Sequence, residues 1–93
     1  MGLIFDVFYH IDVVAIDIPK LSTSDKNKIK KAIEEKLIYH PEIFGKPLRR
    51  SLKGYRKLRV GDYRVIYRIE GIRVKILCIG HRSVVYQKAD KRI

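Results

Sequence analysis

Residues 54–86 read GYRKLRVGDYRVIYRIEGIRVKILCIGHRSVVY, and the fold turns on how this stretch is divided. Tyr63, Val65, Tyr67 and Ile69 alternate with Arg64, Ile66 and Arg68, the period of two expected of a strand with two unlike faces. Gly61-Asp62 before it and Glu70-Gly71 after it are turn dipeptides, with glycine able to take positive φ. The spacing predicts strands over residues 54–60, 63–69 and 72–79. The run Ile76-Leu77-Cys78-Ile79 puts the last of these in the sheet interior. Gly80 ends it and delivers His81 and Arg82. Residues 83–86 are expected to add a short final strand or edge extension, and the polar, basic residues 87–93 a tail that is frayed or briefly helical.

Working outward, residues 3–9 (LIFDVFY) predict a first strand, apolar on both faces apart from Asp6. Residues 10–18 read two ways. Ile11, Val14, Ala15 and Ile18 fall at helical spacing, whereas the β-branched content favours a strand; the pattern favours a short helix ending at Pro19. Residues 22–39 are the clearest helix, with Ser22 and Asp25 as a capping pair. Ile29, Ala32, Ile33 and Leu37 form its apolar stripe, and Lys30–Glu34 and Lys31–Glu35 its i,i+4 pairs. Residues 40–53 connect, anchored by Leu48 and Leu52. The order is β-α-α-β-β-β: an α+β domain, residues 1–93, in which a small, mainly antiparallel sheet packs against two N-terminal helices.

A chain of 93 residues holds one small core, and 46% hydrophobic content argues against disorder. Charge is lopsided. Residues 46–93 carry 15 Lys+Arg against 3 Asp+Glu, and residues 1–45 carry 6 against 7, within a net charge of +11. Such a field suits a polyanionic partner: nucleic acid, a ribonucleoprotein or an acidic protein. The one cysteine, Cys78, excludes an internal disulfide and reads as core rather than as a reactive thiol. No Cys/His spacing suggests zinc, and neither a signal peptide nor a membrane span is visible. Cytoplasmic residence without a membrane partner is the expectation.

No metal motif, phosphate-binding glycine loop or nucleophile elbow is present. Carboxylate chemistry is unpromising, because the basic half holds only Asp62, Glu70 and Asp90. What remains is Arg56, Lys57, Arg59, Arg64, Arg68, His81, Arg82 and Tyr86. Guanidinium groups match phosphate geometry and neutralise charge on a transferring phosphoryl group. Tyr and His move protons when their surroundings tune them. The plainer reading makes Arg64 and Arg68 exposed sheet residues, Tyr63 and Tyr67 core, and Tyr86 an edge cap. Tyr55 suits base stacking or packing. Arg49, Arg50 and Lys53 bracket Leu48 and Leu52 and either meet phosphates or face water.

GYRKLRVGDYRVIYRIEG followed by IGHRSVVY resembles the RelE/ParE superfamily of toxins from type II toxin–antitoxin systems, and is most similar to the RelE-type mRNA interferases. The resemblance runs from the first strand through Tyr86. It implies two N-terminal helices against the sheet. It implies a metal-independent, cofactor-free endoribonuclease that enters the ribosomal A site and cleaves mRNA, with the ribose 2′-OH attacking the adjacent phosphate. By this resemblance Arg64, Arg82 with His81 beside it, and Tyr86 are the catalytic positions. Lys57 and Tyr55 match the basic residues of the preceding strand, where one branch of the family has lysine in place of Tyr55. Tyr86 or His81 would help deprotonate the 2′-OH. Arg56, Lys57, Arg59, Arg68, Arg49, Arg50 and Lys53 would hold RNA. A cognate antitoxin, the ribosome and mRNA would be the partners. The alternatives are a ParE-like gyrase-inhibiting toxin and a non-catalytic nucleic-acid-binding protein.

Overall fold

The structure, a computed structural model, describes residues 2–93. Five strands form one sheet in the order β1-β5-β4-β3-β2: β1 is Asp6–Tyr9, β2 Lys46–Pro47, β3 Arg56–Val60, β4 Tyr63–Glu70 and β5 Arg73–His81. Pairing is antiparallel except for β1, which runs parallel to β5. The β3–β4 and β4–β5 connections are the expected tight turns, with Gly61 and Gly71 both at φ 60°. β1 is shorter than the hydrophobic run suggested. It sits at the sheet edge with Phe8 and Tyr9 largely exposed.

Ser22 caps α1 (Thr23–Ala32), its Oγ accepting from the Asp25 amide. The helix continues as a wider π turn, Ile33–Leu37. Ile29, Ala32, Ile33 and Leu37 are buried. They meet Val65, Tyr67, Val74, Ile76 and Ile79 in the larger core, so the alternation read in β4 points the anticipated side chains to the helices. Tyr67 is fully buried, and its hydroxyl donates to the Pro41 carbonyl at 2.6 Å. Pro41 opens α2 (Pro41–Phe44), and Gly45 follows it. A Cβ on Gly45 would stand 1.8 Å from the Tyr67 hydroxyl, so only glycine lets the chain pass there.

Two expectations are corrected. The segment before α1 is helical, as favoured, with a π turn Val13–Asp17 tightening into a 3₁₀ turn Ile18–Lys20. However, of the apolar stripe assigned to it only Ile18 packs on the core, and the rest faces outward. Ile11 and Val14 are exposed, whereas Val13 and Asp17 are buried. Residues 83–86 are not a strand, and the chain's end is not a frayed tail. A turn leads into α3, Val85–Arg92. Val85 and Ala89, one helical turn apart, cover Leu52, Ile66, Leu77 and Cys78 on the sheet face opposite the N-terminal helices.

One buried cluster joins the two corrected segments. Asp17 accepts from the Ile79 amide at 2.9 Å, from both terminal nitrogens of Arg92 at 2.6 and 2.7 Å, and from Lys88 Nζ at 2.9 Å. Burial alone would push the Asp17 carboxyl up, but these donors outweigh it and hold the group at about 2. Arg92 also donates to the Leu77 carbonyl. The carboxylate therefore pins the far end of the chain to the first helical turns. Cys78 lies in the same interior, and burial, the larger cause, together with the Asp17 charge raises its thiol to about 11, so it is core and not a nucleophile.

Asp17→Asn should cost about 3 kcal/mol of stability at pH 7, because it strands two cations beside a buried amide. The carboxyl lies lower in the folded protein (about 2) than its ordinary 3.8. Its stabilisation is therefore present above pH ~4 and lost as pH falls toward 2. Urea unfolding of both proteins from pH 7 to pH 2 should give curves that converge at the acidic end; curves that stay parallel would refute the ionic latch.

Candidate phosphate-binding site

Directly opposed residues of an antiparallel pair share a face. Lys46 opposes Lys57, Lys57 opposes Ile66, and Arg59 opposes Arg64. These four cations therefore stand on the face that carries α3, beside the patch α3 covers. With Phe44 they line a cleft of about 210 Å³ that contains no carboxylate. Lys57 Nζ lies 5.8 Å from the centre of the Tyr86 ring, which brings the phenol at the start of α3 to the rim of the basic cleft. One strand pair and the first turn of one helix thus supply cations and a phenol to a single surface.

The β3–β4 turn gathers two further groups. The Arg64 guanidinium donates to the Gly61 and Tyr63 carbonyls, both at 2.9 Å. The Arg82 amide donates to the Asp62 carbonyl at 2.8 Å, and its side chain reaches toward the Asp62 carboxylate at 3.8 Å. That ion pair is exposed on both sides, so it holds Arg82 loosely. Arg64 and Arg82 approach the same turn, one through its backbone and the other through its acid.

Several anticipated residues lie elsewhere. His81 pairs in register with Tyr63 and meets that ring edge-on at 5.7 Å. It therefore faces the N-terminal helices, in a cleft with Asp25, Lys28 and Ile29. Its Nδ1 hydrogen-bonds the Ser83 hydroxyl at 2.8 Å. Arg56 opposes Tyr67 and turns to that same face. Its guanidinium donates to the Glu42 and Gly45 carbonyls at 2.8 Å each, so it ties the chain around α2 and lies outside the Lys57 cleft. Arg68 ion-pairs with Glu70 and lies over the Tyr55 ring at 5.5 Å, away from the Lys57 cleft. Arg49, Arg50 and Lys53 are exposed around the 3₁₀ turn Arg50–Leu52, whose Ser51 hydroxyl bonds Asp90 on α3.

Sequence reasoning missed Lys46, because residues 40–53 read only as a connection. Its signal was the following Pro47: a proline beside predicted strands fits a sheet edge, which would have put Lys46 opposite β3. Among the described residues no three His, Cys, Asp or Glu side chains converge as a metal site, and no helix is long and apolar enough to cross a membrane.

Comparison with known proteins adds four findings. Residues 17–86 match the family model described as the ParE toxin of the type II toxin–antitoxin system parDE. The chain is 34% identical over 84 residues to Toxin RelE of Mycobacterium tuberculosis (strain ATCC 25618 / H37Rv), covering 85% of this chain and 87% of that one. Its fold overlays on the toxin–antitoxin complex RelBE2 of M. tuberculosis with a TM-score of 0.79, 32% identity and coverage of 86% and 100%. It also overlays on a double mutant of E. coli toxin RelE in the free state, with a TM-score of 0.75, 25% identity and coverage of 98% and 99%.

The two faces predict opposite phenotypes for neighbouring arginines. Arg56→Gln should destabilise the fold by about 2 kcal/mol through two lost charged hydrogen bonds. Arg59→Gln should change stability by less than about 0.5 kcal/mol. Urea midpoints would check this; equal midpoints would show that Arg56 is no tie.

Proposed function

The chain belongs to the RelE/ParE superfamily of type II toxin–antitoxin toxins, and on that premise we propose that it is a ribosome-dependent endoribonuclease cutting mRNA in the A site. The observation that carries this reading is the carboxylate-free cleft of Lys46, Lys57, Arg59 and Arg64 with the Tyr86 phenol against Lys57. A site with cations and a phenol but no acid suits a reaction whose nucleophile belongs to the substrate.

The ribose 2′-OH attacks the adjacent phosphorus. Its proton passes to Tyr86 as general base, the P–O5′ bond breaks, and the departing 5′-oxygen takes up a proton from water. The products are a 2′,3′-cyclic phosphate and a free 5′-OH. Arg64 neutralises the crowded equatorial oxygens and Arg82 the charge on the departing 5′-oxygen. Lys46, Lys57 and Arg59 hold the flanking phosphates. Tyr86 is favoured over His81 as base because Arg64 and Tyr86 share a sheet face and His81 faces the helices. An antitoxin of acidic or amphipathic character is the partner that the basic face invites. The solved RelBE2 complex of a relative supports such a pairing.

The match to the ParE family model favours a second reading, inhibition of gyrase. A supercoiling assay separates the two.

In a purified translation reaction, Arg64→Ala with Arg82→Ala should lower codon cleavage at least ~100-fold, the scale set by losing one preorganised charge stabiliser, while circular dichroism stays native. Full cleavage by that folded variant would remove the catalytic assignment. Wild-type protein that blocks supercoiling and spares ribosome-bound mRNA would establish the second reading instead.

A further inference from the structure

α3 covers only part of its sheet face. Beyond its C-terminal end, Phe8, Tyr9, Tyr55, Arg68, Lys75 and Arg92 surround a second cleft of about 360 Å³, floored by Ile76 and Leu77. It is large enough for a small ligand, and no carboxylate lines it. Its composition differs from that of the Lys57 cleft in being aromatic as well as basic. The Arg68 guanidinium lies 5.5 Å from the centre of the Tyr55 ring, and that of Arg73 lies 5.6 Å from Phe8. Phe8 is 48% exposed and shares the face of Lys75, so flat apolar surface is open to water beside cations.

The charges have different tasks. Arg92 is spent on Asp17. Arg68 and Lys75 share the single acid Glu70, which lies outside the cleft wall; Lys75 approaches it at 3.0 Å. The Lys75 hydrogen bond and the Arg68 charge hold the Glu70 carboxyl below its ordinary range. Glu70 thus orients two cations and leaves one positive charge in excess. Planar rings with a cation at the rim are what a nucleobase and its phosphate require, and an acidic side chain would gain the cation but not the rings.

The cleft also continues the first site. Tyr55 and Tyr86 pack against the same cluster under α3. Tyr86 stands at that helix's start, beside Lys57, and Arg92 at its end, in the second cleft.

We propose that this cleft holds one unpaired nucleotide of an RNA strand, flanking the phosphate bound at the Lys57–Tyr86 patch. Its base stacks on Tyr55 and Phe8, and its phosphate meets Arg68 and Lys75. The inference rests on reading the chain as an RNA-cutting toxin, and it adds a subsite which that reading does not need.

The test uses the full chain and a single-stranded RNA octamer carrying one 2-aminopurine, whose fluorescence falls on stacking. Wild-type protein should quench the probe. Phe8→Leu keeps apolar bulk without a ring, and Lys75→Gln removes the charge. Each should raise Kd about 5-fold or more, and Phe8→Leu should also reduce the quench at saturation. Lys57→Gln should weaken binding but leave the quench at saturation intact. Native urea midpoints keep these comparisons valid. Wild-type affinity and quench in both cleft variants would overturn the proposal. So would variants that bind RNA normally and lose only the antitoxin, which would make this a protein-docking face. A wild-type protein that quenches the probe but never cuts ribosome-bound mRNA would refute the nuclease reading and support the subsite alone.

Discussion

A carboxylate cannot leave water without donors. Asp17 leaves it completely, so the chain must bring an amide from β5 and two cations from α3 to one point. The consequences spread from there. The first helical turns are rotated so that Asp17 points inward and Ile11 and Val14 point out. The last eight residues of helix are held to the sheet, and with them Tyr86 is held at the edge of the basic cleft. A contact between the two ends of the chain thereby governs where a phenol stands relative to a lysine in the middle.

The sheet separates two kinds of work. Its helix-facing side is packing: Val65, Tyr67 and Ile79 in the core, Arg56 tying backbone carbonyls, and Gly45 giving room for the Tyr67 hydroxyl. Its other side is divided by α3 into a basic cleft and an aromatic one. Arginine residues on adjacent strands of the same sheet therefore have unrelated roles. Arg56 is a structural donor, Arg59 and Arg64 line the cleft, and parity along the strand decides which.

That parity explains how much of the site was legible. The alternation over residues 63–69 gave the strand, its two faces and its turns, because a period of two is a local property. It also set Arg64 apart from Tyr63 and Tyr67. In β3 the same parity, marked by Leu58 and Val60, puts Arg56 on the inward face and Arg59 on the other. His81 and Arg82 are neighbours in the chain but turn to different surroundings, one against Tyr63 and the other toward Asp62. The helix at residues 23–37 was plain from its stripe and its Ser22 cap. The C-terminal helix was not, because a polar basic octapeptide with two small apolar residues on one side resembles a tail until a surface is found for Val85 and Ala89.

What the sequence alone determined is the strands β1, β3, β4 and β5, the tight turns on either side of β4, the main helix and the concentration of charge after residue 45. Each is encoded within a few residues by period, cap or glycine. Tertiary structure alone decided the pairing of Asp17 with Arg92, the parallel seating of β1 beside β5, and the gathering of Lys46, Lys57, Arg64 and Tyr86 around one cleft. Those relations span up to 75 positions of chain. No local propensity carries them, because they arise only when buried polar groups must find partners across the folded core.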